Sequence, residues 1–231
     1  MNKGNIFFFS IWAIMMSVTT MSAAVKVHSM QGEVKVRRGV EEHWQPAMSG
    51  TELHEIDTIL TLEGSATLKL ADGSLFKLGP NSIVDVGDLR LITRQEMFVL
   101  VMSQKVQKIA PRVPKSFKPE NISSVHGLQS TTAAKPPAPE VSWQRELNAA
   151  RAMVQQRLLT NAVVKLHRLI NRHTHMDDCG EALLLLGKSY EALDESGQAI
   201  DFYQAAADKG SVCKDGAIAQ EARAAQQRLT K

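Results

Sequence analysis

The sequence predicts a multidomain protein, with an all-β unit toward the amino terminus and an all-α unit at the carboxy terminus. Three observations carry that expectation: polar and apolar residues alternate with period two up to about residue 86, prolines cluster between 110 and 142, and apolar residues recur at helical spacing beyond 143. A chain of 231 residues is long enough for two modest cores. Hydrophobic residues make up 44% of it and charged residues 22%, which excludes a disordered chain and a polytopic membrane protein. The net charge of +3 is scattered rather than massed on one run, so no nucleic-acid partner is expected.

Residues 1–24 read as a secretory signal peptide. Lys3 gives the positive start, Ile6 to Val18 is apolar apart from Ser10 and Ser17, and Ser22-Ala23-Ala24 supplies the small residues of a cleavage site. The apolar run is short for a bilayer span. The expected product starts near Val25, carries no integral span, and works in an oxidising compartment beyond the inner membrane, the periplasm.

The β unit is expected over residues 25–109. Val25-Lys26-Val27, Glu33 to Val36, Asp57 to Leu60, Ala66 to Leu70 and Leu75 to Leu78 each alternate, which buries one face of a strand. Gln31-Gly32, Arg38-Gly39, Ser49-Gly50, Glu63-Gly64, Asp72-Gly73 and Gly79-Pro80-Asn81 separate them at intervals of roughly ten residues. Asp72-Gly73 between alternating hydrophobics is a hairpin signal. Asp57 reads as the cap of a bend, Asp72 as turn chemistry and Asp85 as an exposed strand residue, so none is assigned acid–base work. Trp44, beside Pro46, reads as a core plug.

Gly32-Glu33-Val34-Lys35-Val36, Trp44-Gln45-Pro46-Ala47, Asp57-Thr58-Ile59, Leu70-Ala71-Asp72-Gly73-Ser74 and Leu78-Gly79-Pro80-Asn81-Ser82 together resemble the FecR domain. The likeness spans about residues 32–86 and continues more loosely to Ile109. Ile56 departs from it, standing where that family usually has glycine. The resemblance implies a short β-solenoid or twisted sandwich. It also raises a regulator of envelope signalling as an alternative function, but such a regulator needs a cytoplasmic segment and a spanning helix, which a leader starting at Met1 leaves no room for.

Residues 110–142 form a Pro-rich linker holding six of the eight prolines. Beyond it, residues 143–231 are expected to be helical. Ser142 can cap a helix with Leu147, Ala150, Val154 and Leu158 in one stripe, and Asn161 can open a second with Ala162, Leu166, Leu169 and Ile170 inward. Leu183, Leu186, Tyr190 and Leu193 line a third helix, and Ala199, Tyr203 and Ala206 a fourth, with Asp194 to Gly197 as the turn. A last helix, capped by Asp215, carries Ile218, Ala222, Ala225 and Leu229. The order Leu183, Leu186-Gly187, Tyr190, Ala199, Tyr203 is similar to one tetratricopeptide repeat, and residues 143–170 resemble a degenerate repeat before it.

That resemblance implies a protein partner bound on the first helix of each pair. Glu181, Leu184, Lys188 and Glu191 are the positions assigned to the binding face, with Leu147 and Arg151 as their counterparts one repeat earlier. His173, His175, Asp178 and Cys179 could bind zinc, but the paired-cysteine spacing of a structural site is missing. A disulfide between Cys179 and Cys213 is the expectation instead, because antiparallel helices bring those two ends together. No phosphate loop or nucleophile motif is present, so the expectation is a non-enzymatic envelope protein without a cofactor. A glycan-binding module is the remaining alternative; the row of exposed aromatics it needs is absent from the β unit.

Overall fold

The structure is a computed structural model describing residues 25–107, 142–213 and 216–230. The leader, residues 110–141 of the linker, and Asp215 lie outside the described residues.

Eight strands form two four-stranded antiparallel sheets among the described residues. The strands are β1 (Val25–Gln31), β2 (Val34–Arg37), β3 (Trp44–Pro46), β4 (Glu52–Leu53), β5 (Thr58–Thr61), β6 (Ser65–Lys69), β7 (Leu75–Leu78) and β8 (Ser82–Asp85). The first sheet has the order β4-β1-β6-β7 and the second β3-β2-β5-β8. The expected strands are all present; β3, β4 and β8 add to them. Alternation decides the core: Val27, Leu68, Phe76 and Leu78 of the first sheet share it with Val34, Val36, Ile59 and Val84 of the second. The second sheet is buried on its other face too, where Leu60 pairs with Ile83.

Local polar chemistry holds the turns. Asp72 Oδ1 accepts from the Ser74 amide at 2.9 Å and its hydroxyl at 2.6 Å, closing the Asp-Gly hairpin. Asp57 is buried and accepts from the amides of His54 and Gly39 and from Arg38 Nη1. Ile56 is exposed at this bend, with its side chain over Gly39. Trp44 is only half-buried, contrary to a core plug, because β3 is an outer strand; the Arg37 guanidinium sits 5.5 Å from its ring centroid.

After β8 the chain makes a short 3-10 turn, Val86–Leu89, and then helix α1 (Arg94–Gln107). Sequence reasoning left α1 inside the β unit. Its start was nonetheless signalled by Thr93 and Glu96, and Thr93 Oγ1 accepts from the Glu96 amide at 3.2 Å. Five further helices follow: α2 (Trp143–Gln155), α3 (Leu159–Arg172), α4 (Glu181–Ala192), α5 (Ser196–Gly210) and α6 (Ala217–Leu229). Helix α3 begins two residues before Asn161, whose side chain does not cap it. Asn161 Nδ2 instead donates to the carbonyls of Asp88 and Arg90, each at 2.7 Å, across to the strand half. No helix among the described residues is long and apolar enough to cross a membrane.

Helices α4 and α5 are antiparallel, as shown by Cys179 and Cys213 at their far ends, which are bridged with Cα atoms 5.8 Å apart. Gly187 makes room for the Tyr203 ring between them: a Cβ there would lie 2.6 Å from the ring. Gly187→Ala is therefore expected to destabilise by about 1–3 kcal/mol through overpacking, read as a lower thermal midpoint at unchanged helix content.

Candidate protein-binding face

Helix α4 packs against both α2 and α6. Charged residues of the three pair from helix to helix. Arg151 of α2 binds Glu181 of α4 at 2.5 Å, Lys188 of α4 binds Glu221 of α6 at 2.6 Å, and Arg228 of α6 binds Glu191 of α4 at 2.5 Å. Glu191 also accepts from the Tyr203 hydroxyl at 2.5 Å. Burial, and then that carboxylate, raises the Tyr203 hydroxyl well above the usual phenol range, so it stays a donor. A depression of about 560 Å3 opens among Arg157, Lys188, Glu191, Tyr203, Glu221 and Arg228.

Of the residues assigned to this face, Arg151, Glu181, Lys188 and Glu191 lie on it. Leu147 and Leu184 do not. Both belong to the core, because α4 carries leucine at four consecutive positions and packs against α2, α3, α5 and α6 at once, leaving it almost no apolar surface for a partner. Sequence reasoning missed Glu221 and Arg228, since it took α6 only as a lid; their i, i+7 spacing on α6 was the available signal.

A second cluster lies between the halves of the molecule and was not foreseen. Lys165 of α3 is buried and reaches Asp88 at 3.0 Å, Glu146 at 3.5 Å and Asp85 at 3.9 Å. Arg168 completes Asp88 at 2.7 Å, while Arg172 and His173 meet Glu146 at 2.9 and 3.3 Å. Burial alone would raise both carboxyls. For Asp88 the Lys165 and Arg168 charges outweigh it, and for Glu146 the Lys165 and Arg172 charges do, so both stay below the ordinary carboxylate range. Asp85 accepts from the Thr58 hydroxyl at 2.8 Å, and Thr58 in turn accepts from Arg37. A cavity of about 190 Å3 is lined by Arg37, Thr58, Asp85, Glu146, Lys165 and Arg172 together with Ile83. Every carboxylate here has a cation, which describes a structural joint rather than an acid–base pair.

The residues first considered as zinc ligands are drawn apart. His173 is held by Glu146, and Asp178 accepts from the Ala182 amide at 2.8 Å to cap α4 and from Lys209 at 2.5 Å. Asp177 lies near Cys179 and Cys213, but both sulfurs are in the disulfide and so are not thiolates. A groove of about 730 Å3 runs between the β7–β8 turn and α2 and is lined by Lys77, Asn81, Asn148, Arg151 and Gln156 among others. Arg145 Nε donates to Asn81 Oδ1 at 3.0 Å and Asn148 Nδ2 to the Asn81 carbonyl at 2.7 Å, fixing the turn on the helix. Compared with known proteins, the chain matches no family model, no curated protein and no solved structure at a significant level.

Proposed function

We propose that the protein is an exported, non-enzymatic adaptor of the cell envelope that holds a protein partner along the face shared by α2, α4 and α6, with a FecR-like half and a tetratricopeptide-like half. The observation carrying this reading is the row of three inter-helix ion pairs on that face. Ion pairs this open to solvent contribute little to the fold, so their charges are free to be exchanged for those of a partner. The leader-like residues 1–24 and the Cys179–Cys213 disulfide support export to an oxidising compartment.

The test removes charge without reversing it. Lys188→Gln with Arg228→Gln is expected to lose the partners that the wild-type chain retains in crosslinked pull-downs from envelope, while the thermal midpoint moves by only a few degrees. Retention of the same partners by the double variant overturns the assignment of this face.

A further inference from the structure

Strand β7 is an outer strand of the first sheet. Where a neighbouring strand would lie, a side chain stands instead. The Lys77 amide donates to Gln156 Oε1 at 2.7 Å, and Gln156 Nε2 donates to the Lys77 carbonyl at 2.7 Å. These are the two bonds that one residue of an added antiparallel strand makes with its partner. Because successive residues of a strand point their polar groups to opposite edges, the amide and carbonyl of Leu75 face this same edge; Ser74 faces inward, its carbonyl accepting from the Leu70 amide at 2.8 Å. Leu75 is 55% exposed. Among the described residues, the lining of the groove beside the edge has Lys77 and Arg151 and no carboxylate, although Arg151 also reaches Glu181 at 2.5 Å.

We propose that the β7 edge is a strand-addition site for an extended acidic peptide, with the Gln156 carboxamide occupying the place of the peptide's backbone until the peptide arrives. Gln156 Nε2 also donates to the Ala152 carbonyl of its own helix at 3.1 Å, so on displacement it keeps a partner. Main-chain bonds to Lys77 and Leu75 supply the affinity, as in other strand additions, and Lys77 with Arg151 selects acidic side chains. Lys77 on the edge also discourages a second copy of this basic strand from pairing there. The site shares Arg151 with the row of pairs on the α2–α4–α6 face, but neither Lys188 nor Arg228, the two residues changed in the test above, borders it, so either reading can fail alone.

The probe is a fluorescein-labelled heptapeptide of alternating glutamate and valine, followed by anisotropy on the disulfide-bonded full chain. It is expected to bind, its lysine–valine counterpart is not, and N-methylation at alternate residues is expected to weaken it at least tenfold. Gln156→Ala is expected to tighten binding about tenfold, because two competing hydrogen bonds are removed. Lys77→Pro, which removes the outward amide together with the lysine charge, is expected to abolish binding; the N-methylated peptide on the wild-type chain tests the main-chain bonds by themselves. No binding of the acidic peptide at millimolar concentration, equal binding of its N-methylated form, or self-association of Gln156→Ala in the absence of peptide would overturn the proposal.

Discussion

Lys165→Met is expected to lower stability by about 3–5 kcal/mol, the cost of leaving buried carboxylates without their shared cation. Methionine preserves most of the side-chain volume, so the loss reports charge rather than a cavity. The lower end of the range is expected, because Arg168 still holds Asp88 and Arg172 still holds Glu146. The pH dependence carries the same signature. Both carboxyls have native pKa values below their unfolded ones, so the cluster stabilises the fold at neutral pH, and that contribution is lost as pH falls from about 4.5 through the lowered native values. Without Lys165 those native values rise, and the acid loss should begin at higher pH. Urea denaturation between pH 3 and 7 measures both effects. Coincident pH profiles for the variant and the wild type would show that Lys165 does not bear on Asp88 and Glu146.

Cys179→Ser with Cys213→Ser is expected to cost about 3–4 kcal/mol, the chain entropy released by opening a loop of 34 residues. The native state should change little. Asp178 and Lys209 still join the two ends at 2.5 Å, and Asp178 still caps α4. The effect therefore acts mainly on the unfolded chain, which predicts a lower urea midpoint with near-native far-ultraviolet circular dichroism. Thiol titration of the denatured, unreduced wild-type protein should find no free thiol; two would remove the disulfide from the account.

What could be read from the sequence is what neighbouring residues decide. Period two gave the principal strands, Asp-Gly gave the β6–β7 hairpin, and Gly187 opposite Tyr203 with the paired cysteines gave the α4–α5 pair. The α2–α4–α6 face was half legible: the charged positions of α4 were found from repeat spacing, but Leu147 and Leu184 were placed on the surface although the layered helices claim them for the core. Helix α1 escaped because Phe98, Val99 and Met102 are exposed, which blurs the stripe that a helix usually shows. The joint between the halves was illegible for a different reason. Lys165 and Glu146 are residue types normally found in water, and Asp88 lies 77 positions from Lys165, so no local pattern announces that they meet. The Gln156 carboxamide is hidden in the same way, 79 positions from the strand residue it pairs with.

The joint has a consequence for how the chain behaves when cut. Helix α1 packs on α3, Thr160 donates to the Ile92 carbonyl at 2.9 Å, and Asn161 and Lys165 reach Asp88, so contacts among the described residues join the strand half to the helical half. A single backbone break between Gln107 and Ser142 then yields a heterodimer rather than two independent fragments. Its halves would co-elute when concentrated and separate on dilution or in acid, since the intact chain differs from them only in the local concentration at which one half sees the other. The covalent connection sets how often the halves meet; the buried charges set whether they stay.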